Sequence, residues 1–304
     1  MSEQNSQAKA LAVPDLLVYT AMRGLSLLLA LLPENMVMAF GSLLGQVACL
    51  LLPGRVRLCR RNLERAGFSP NLAETVFRHL GRMAMASLRL QRLGIEQVMA
   101  RVGVVGMHNY HAARQLSERV LVVSAHMGFW EMPASVHAHL TGRPVSVVVR
   151  ALENAGLDRF VEEGRARFGV SILEKSDGLR PMIRALRQGH DLGVMIDQKV
   201  RPSLGVPVRF FGEVMPAVPV ASVVARAAGA VILPVLTTVQ PDGRHRIDYF
   251  EPFLPSGDDT ADTQRLTALL EEEIRRCPEQ WFWVHDRWKW AGYDVQAGQK
   301  PASQ

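Results

Sequence analysis

Hydrophobic positions change texture three times along the chain. From Leu16 to Leu32 and again from Met36 to Leu52 they are nearly continuous, with Pro33-Glu34 between the runs; Tyr19, Thr20, Arg23, Gly24 and Ser26 interrupt the first. Through Ala73–Val98, Leu, Met and Ile recur at helical spacing, and no proline stands between Pro70 and Pro133. This predicts helix over most of residues 10–100. Beyond residue 100, short β-rich runs take over: Val120–Val123, Val145–Val149, Val170–Leu173, Leu192–Ile196, Val206–Phe211, Val231–Val239 and His245–Phe250. Helix-like segments at Asp158–Phe168, Gly178–Arg187 and Val218–Ala228 separate several of them, and Thr260–Cys277 reads as a last amphipathic helix. Strands alternating with helices predict an α/β fold, a mostly parallel mixed sheet flanked by helices. Gln240-Pro241-Asp242-Gly243 is a turn signal, so its flanking strands are expected to form an antiparallel hairpin. The expected organisation is a helical N-terminal region over residues 1–100, an α/β domain over 101–295 and a polar tail over 296–304.

The two apolar runs, at about 14–53, admit two readings. They are either buried core helices or a hairpin embedded in or docked on a bilayer. Each is about 17 residues, roughly 26 Å as helix, short of a hydrocarbon core of about 30 Å. Membrane contact is therefore expected rather than a full span. Arg55, Arg57, Arg60, Arg61 and Arg65 follow directly and suit cytoplasmic headgroups. A signal peptide is not expected, because Pro14 and Asp15 stand where a basic n-region belongs and no Ala-x-Ala follows. Gly41 and Gly45 form a small-xxx-small pair that permits close helix packing.

Composition narrows the partners. Over 304 residues, 48% hydrophobic and 21% charged is globular, and a net charge of +6 favours acidic partners such as an anionic membrane, a phosphorylated substrate or an acidic carrier protein. Nucleic acid is not expected, since the basic residues are not interleaved with aromatics in a binding module. Cys49, Cys59 and Cys277 are far apart, which argues against disulfides and zinc. His108, His111, His137 and His139 match no ligand spacing, so no metal is expected. In the aromatic cluster, Trp281, Phe282 and Trp283 are expected in the core and Trp288 and Trp290 at a membrane interface.

Three strand-like runs end in residues of catalytic type: Val120–Val123 leads to His126, Val145–Val149 to Arg150, and Leu192–Ile196 to Asp197-Gln198. In a parallel sheet these emerge at one carboxyl edge, where open α/β folds bind ligands. His126 and Glu131 are five apart, about 140° around a helix, so they meet only if His126 lies in the turn after the strand and Glu131 in the first helical turn. Pro133 agrees with a helix start there. Such a pair, imidazole as base and carboxylate as its orienter, activates a hydroxyl without a nucleophilic serine, and no Gly-x-Ser-x-Gly is present. Backbone N–H groups near Gly128 are the expected oxyanion donors.

Val120–Met132 resembles the His-x4-acidic motif of the lysophospholipid acyltransferase superfamily. The version is that of the late acyltransferases of lipid A biosynthesis, the lauroyl/myristoyl transferase family, where it reads His-x-Gly-x-Trp-Glu; Gly128, Trp130 and Glu131 match. The similarity runs in order through Arg61-Asn62-Leu63, Arg150, Asn154, Asp158, Arg165, Arg167, Asp197-Gln198, Phe210-Phe211-Gly212, Pro278–Trp281, Trp283, His285, Arg287 and Lys289, and spans roughly residues 10–290. The resemblance implies an acyltransferase at the cytoplasmic face of the inner membrane of Gram-negative bacteria. Acyl carrier protein would be the donor, a hydroxyl of a phosphorylated glucosamine lipid the acceptor, and no cofactor would be needed. It makes His126 the base and Glu131 its orienter. It assigns Arg150, Arg165 and Arg167 to phosphate binding or shaping of the site, and Asp197 and Gln198 to the pocket lining. The chain departs from the family pattern at Val149-Arg150-Ala151, Lys199, Asp286 and Pro216–Pro219, positions that leave the acid–base pair in place and bear on the acceptor.

Overall fold

A computed structural model describes residues 11–292. The first ten residues of the expected helical region and the expected polar tail, 296–304, lie outside the described residues. The helical region is built of α1 (Val13–Leu31), α2 (Glu34–Leu51), α3 (Pro53–Arg65), α4 (Leu72–Leu90) and a short α5 (Ile95–Met99). The alternating region follows as β1 (Val102–Val105), α6 (Met107–Leu116), β2 (Val120–Ser124), α7 (Pro133–Thr141), β3 (Val145–Val149) and α8 (Ala155–Ala166). It continues through β4 (Val170–Glu174), α9 (Leu179–Arg187), β5 (Asp191–Met195), β6 (Val206–Phe210), β7 (Glu213–Ala217) and α10 (Val220–Ala228). It closes with β8 (Val231–Val239), β9 (His245–Tyr249) and α11 (Asp259–Arg276).

Seven strands form one sheet in the order β1-β9-β8-β2-β5-β3-β4, and β6-β7 make a separate antiparallel pair. β8, β2, β5, β3 and β4 run parallel; β9 turns back antiparallel to β8 after the turn at residues 240–243, and β1 lies parallel to β9. The fold is the expected α/β type with a mostly parallel mixed sheet. Two strands escaped the sequence pattern. β1 is four residues with Gly103 inside it, and β7 carries Glu213 and Pro216, all poor strand signals.

Alternation along the central strand divides the core. Val120 joins a cluster with α6 and α7, whereas Leu121 and Val123 join one with α9 and α10. The crossovers from β2 to β3 and from β3 to β4 step one way along the sheet, and those to β5 and β8 step back. Right-handed connections therefore place α7 and α8 on one face, α9 and α10 on the other. The helical region is not a loose appendage: α4 contributes Met83, Ala86 and Leu90 to one core cluster and Val76 and Phe77 to another.

That second cluster gathers α3, α4, the β6-β7 pair and the C-terminal tryptophans. Trp281, Trp283 and Trp288 are all almost fully buried, and Trp288 stacks on Trp283 with an interplanar angle of 4°. Trp288 thus belongs to the core and not to an interfacial belt. Its ring fills the space beneath Phe210, a tertiary packing role that its spacing in the sequence did not reveal.

The glycine pair of α2 is used against α4. A Cβ on Gly81 would stand 2.1 Å from the Gly41 carbonyl oxygen, and one on Gly45 would stand 2.1 Å from that of Phe77. Only backbones without Cβ atoms approach so closely. Gly81→Ala is expected to push α2 off α4 at a cost of about 1–3 kcal/mol, as overpacking does. Thermal unfolding of the purified variant should show a fall of several degrees, and an unchanged Tm would contradict this packing.

Candidate active site

β2 and β5 are hydrogen-bonded neighbours with Ser124 opposite Met195. Continuing that register past the strand ends sets His126 beside Asp197. The Asp197 carboxylate accepts from the His126 backbone N–H at 2.8 Å and pairs with His126 Nδ1 at 2.8 Å. Its Oδ2 also accepts from Trp281 Nε1 at 3.0 Å. A buried carboxylate is stable only when donors surround it, and these three supply that need. Burial pushes the Asp197 carboxyl up, but the adjoining imidazole and the N–H donors outweigh it and hold the group at about 2. Burial likewise works against charge on His126, yet the attraction and hydrogen bond of Asp197, with a smaller pull from Glu131, raise its pKa above the ordinary 6.5. With Nδ1 committed to Asp197, Nε2 is the nitrogen left to act on a substrate. The His126 side chain is 18% exposed, enough for one.

The carboxylate hydrogen-bonded to the His126 ring is therefore that of Asp197 rather than that of Glu131. Glu131 precedes α7, which begins at Pro133, and its carboxylate meets Arg165 of α8 at 2.8 Å. The expected placement of Glu131 in the first helical turn fails because Pro133 is itself the first helical residue. Gly128 also differs from expectation. Its N–H is engaged, donating to the Gln280 carbonyl at 3.0 Å. It is a glycine because its φ is +57° and a Cβ would stand 2.4 Å from the Thr237 carbonyl oxygen.

The other expected residues separate. Arg150 is exposed at the end of β3 on the same edge, with no ion pair among the described residues. Arg167 is turned away: it donates to the Gln91 and Leu93 carbonyls and caps the end of α4. The Gln198 side chain is exposed, while its carbonyl accepts from buried Arg287 at 2.9 Å. Burial lowers the Arg287 guanidinium to about 10, and its second acceptor is the Pro216 carbonyl. Among the described residues no group of three or more His, Cys, Asp or Glu side chains is placed to hold a metal ion. His137 instead shares Asp191 with Tyr110 and Arg143 at the far edge of the sheet.

Several contributors were given no role at the site by the sequence. Lys175, just beyond β4, is near enough that its charge opposes protonation of His126. Phe282 and Trp130 flank the imidazole with ring centroids 5.8 Å and 5.6 Å away. The strip carrying Phe282 is fixed by an N–H bond from Phe282 to the His126 carbonyl and by Gln280, which pairs both ways with Val239. Asn62 of the Arg-Asn-Leu motif is fully buried and donates to the carbonyls of Trp283 and His285. His285 accepts the Lys199 N–H on Nε2, and burial lowers its pKa to about 4, so it is a neutral wall. From there an apolar groove of about 580 Å³ runs between α2 and α4, past Leu44, Ala48, Phe77, Leu80 and Ala84.

The raised pKa of His126 sets a pH dependence. A base works only when neutral, so the rate of any reaction it serves should fall as pH drops below a value above 6.5. Asp197→Asn removes the anion that favours the imidazolium; the acid limb of kcat/KM should move to lower pH while the rate falls about 10²–10⁴-fold. Glu131→Gln should move the limb less. A larger shift from Glu131→Gln than from Asp197→Asn would contradict the geometry.

The sequence profile of the bacterial lipid A biosynthesis acyltransferases matches residues 5–290. The chain is 26% identical over 278 residues to the lipid A biosynthesis lauroyltransferase of Escherichia coli K12, covering 88% of this chain and 89% of that one. It is 27% identical over 241 residues to the phosphatidylinositol mannoside acyltransferase of Mycolicibacterium smegmatis, covering 75% and 78%. It is also 25% identical over 269 residues to the E. coli K12 lipid A biosynthesis palmitoleoyltransferase, covering 85% and 86%. With an imidazole–carboxylate pair beside a largely apolar groove and a profile match across nearly its whole length, the chain belongs to the bacterial lipid A biosynthesis acyltransferase family.

Proposed function

We propose that this acyltransferase moves a fatty acyl chain from the thioester of acyl carrier protein to a hydroxyl of a lipid A precursor at the cytoplasmic face of the inner membrane. The observation that carries the reading is the groove. Its lining is mostly apolar, with Arg55 and His285 the polar exceptions, and its residues Phe282 and His285 adjoin the His126–Asp197 pair. An acyl chain laid along it sets a thioester carbonyl beside Nε2.

In this mechanism Nε2 of His126 takes the proton of the acceptor hydroxyl as its oxygen attacks the thioester carbonyl carbon. Asp197 stabilises the imidazolium that forms. Collapse of the tetrahedral intermediate breaks the C–S bond, and the imidazolium returns the proton to the departing thiolate. The products are an ester and a free thiol, and no cofactor is consumed. Arg150, Lys175 and Lys199, exposed along the carboxyl edge, suit the phosphates of the acceptor. Glu131 holds Arg165 and so joins the loop after β2 to α8. The net charge of +6 suits both an acidic carrier protein and an anionic lipid.

The test offers the purified enzyme radiolabelled acyl carrier protein or acyl coenzyme A, with a lipid A precursor, a phosphatidylinositol mannoside or a lysophospholipid as acceptor. Label should pass from the carrier protein to the lipid A precursor, and His126→Ala should lower the rate about 10²–10⁴-fold. Transfer only to another acceptor would refute the acceptor, and full activity of His126→Ala would refute the mechanism. Ala84→Phe narrows the groove and should shift donor preference to shorter chains, each methylene counting about 1–3 kcal/mol. Unchanged preference would remove the groove from the reading.

A further inference from the structure

We infer that the α1–α2 hairpin is a one-leaflet anchor, lying flat in the surface of an anionic phospholipid membrane with its ends and its turn all on the side of the catalytic domain. Both helices are long and apolar enough to cross a bilayer, yet only 11% and 17% of their windows is buried in the protein. Leu17, Leu28, Leu31, Leu43, Leu50 and Leu51 are 54–85% exposed. These are not core helices, because an uncovered apolar face of this extent is unstable in water.

The opposite face excludes a crossing. Asp15, Tyr19, Arg23 and Ser26 recur at helical spacing as a polar stripe on α1. Asn154 donates to Asp15 at 2.8 Å, the Tyr19 hydroxyl donates to Glu163 at 2.6 Å, and Arg92 donates to Ser26 at 2.8 Å. A Cβ on Gly156 of α8 would stand 1.9 Å from the Asp15 carbonyl oxygen, so the two helices are in close backbone contact. At the turn, Glu34 forms an ion pair with Arg101, which leads into β1. The first half of α1 and the turn of the hairpin are thus tied to elements of the α/β domain, and Ser26 farther along α1 is tied to Arg92 just after α4. To cross the bilayer, α1 would have to release these partners or draw α8 and Arg101 in with it, burying their charges in hydrocarbon.

Charge fixes the partner. α3 continues from the hairpin and exposes Arg55, Arg57, Arg60 and Arg61 beside the apolar face; Arg57 and Arg60 have no ion pair among the described residues. An apolar face rimmed by arginines is complementary to acyl chains beneath anionic headgroups. This inference concerns attachment and stands apart from the acyl-transfer reading.

The test places single cysteines in a background of Cys49→Ser, Cys59→Ala and Cys277→Ser. In sealed spheroplasts and in inverted vesicles, a membrane-impermeant maleimide probes Asn35→Cys at the turn and Ser176→Cys on the catalytic domain. Labelling of both from the same side is expected; labelling from opposite sides would overturn the proposal. If lipid shields Asn35→Cys from both sides, nitroxides at Leu17→Cys and Leu28→Cys decide it. The full chain is then bound to vesicles of phosphatidylethanolamine and phosphatidylglycerol. A one-leaflet helix sets both labels at similar depth, within about 5–10 Å of the headgroup boundary. A crossing helix separates their depths by about 16 Å. Equal binding to pure phosphatidylcholine vesicles would overturn the choice of an anionic partner.

Discussion

A carboxylate withdrawn from water must find donors, and where it finds them decides how the surrounding chain is laid out. Asp197 finds three, the backbone and side chain of His126 and the indole of Trp281. Each hydrogen bond to a charged group is worth about 1.5–3 kcal/mol, and a buried charge stripped of its partner costs about 3–5 kcal/mol. The loop after β2, the end of β5 and the C-terminal strip are therefore held in one arrangement. The same bonds that stabilise the carboxylate fix the imidazole's tautomer and ring orientation. Stability and chemistry rest on a single group here.

The two acidic residues near His126 divide their work. Asp197 is dry and bound to the ring; Glu131 is partly exposed and bound to Arg165, and it acts on His126 only through its field. The Glu131–Arg165 pair also joins the site to α8. Since α1 docks on the same helix through Glu163 and Asn154, a short continuous path of packed elements connects the apolar hairpin to the reacting edge. The groove reaches that edge from the other side, between α2 and α4, where glycines let the backbones close together.

Much of this was legible in the sequence because it depends on local pattern. The strands at Val145–Val149 and Val231–Val239 stand where their β-rich runs predicted them, bounded by turn residues. The carboxyl-edge grouping of His126, Arg150 and Asp197 followed from strands ending in polar residues. The pairing did not follow. His126 and Asp197 meet because β2 and β5 are neighbours, and strand order is a property of the whole sheet that no local spacing reports. Sequence proximity favours Glu131 instead and sets it in a first helical turn, whereas the helix begins only at Pro133. The sequence offers Gly128 only as a candidate near the oxyanion, whereas its lack of a Cβ answers to Thr237, a contact made across more than a hundred residues of chain. Trp288 looked interfacial because an aromatic near basic residues has that signature, while its partners Phe210 and Trp283 arrive from distant segments.

The central claim is that Asp197, and not Glu131, holds His126 with its proton on Nδ1 and Nε2 open to the acceptor. Nitrogen NMR of the imidazole in ¹⁵N-histidine-labelled enzyme reads this directly, at a pH where His126 is neutral. A protonated Nδ1 and a bare Nε2 are expected in the wild type, unchanged in Glu131→Gln and disturbed in Asp197→Asn. A proton on Nε2 in the wild type, or a tautomer that responds to Glu131→Gln and ignores Asp197→Asn, would contradict it.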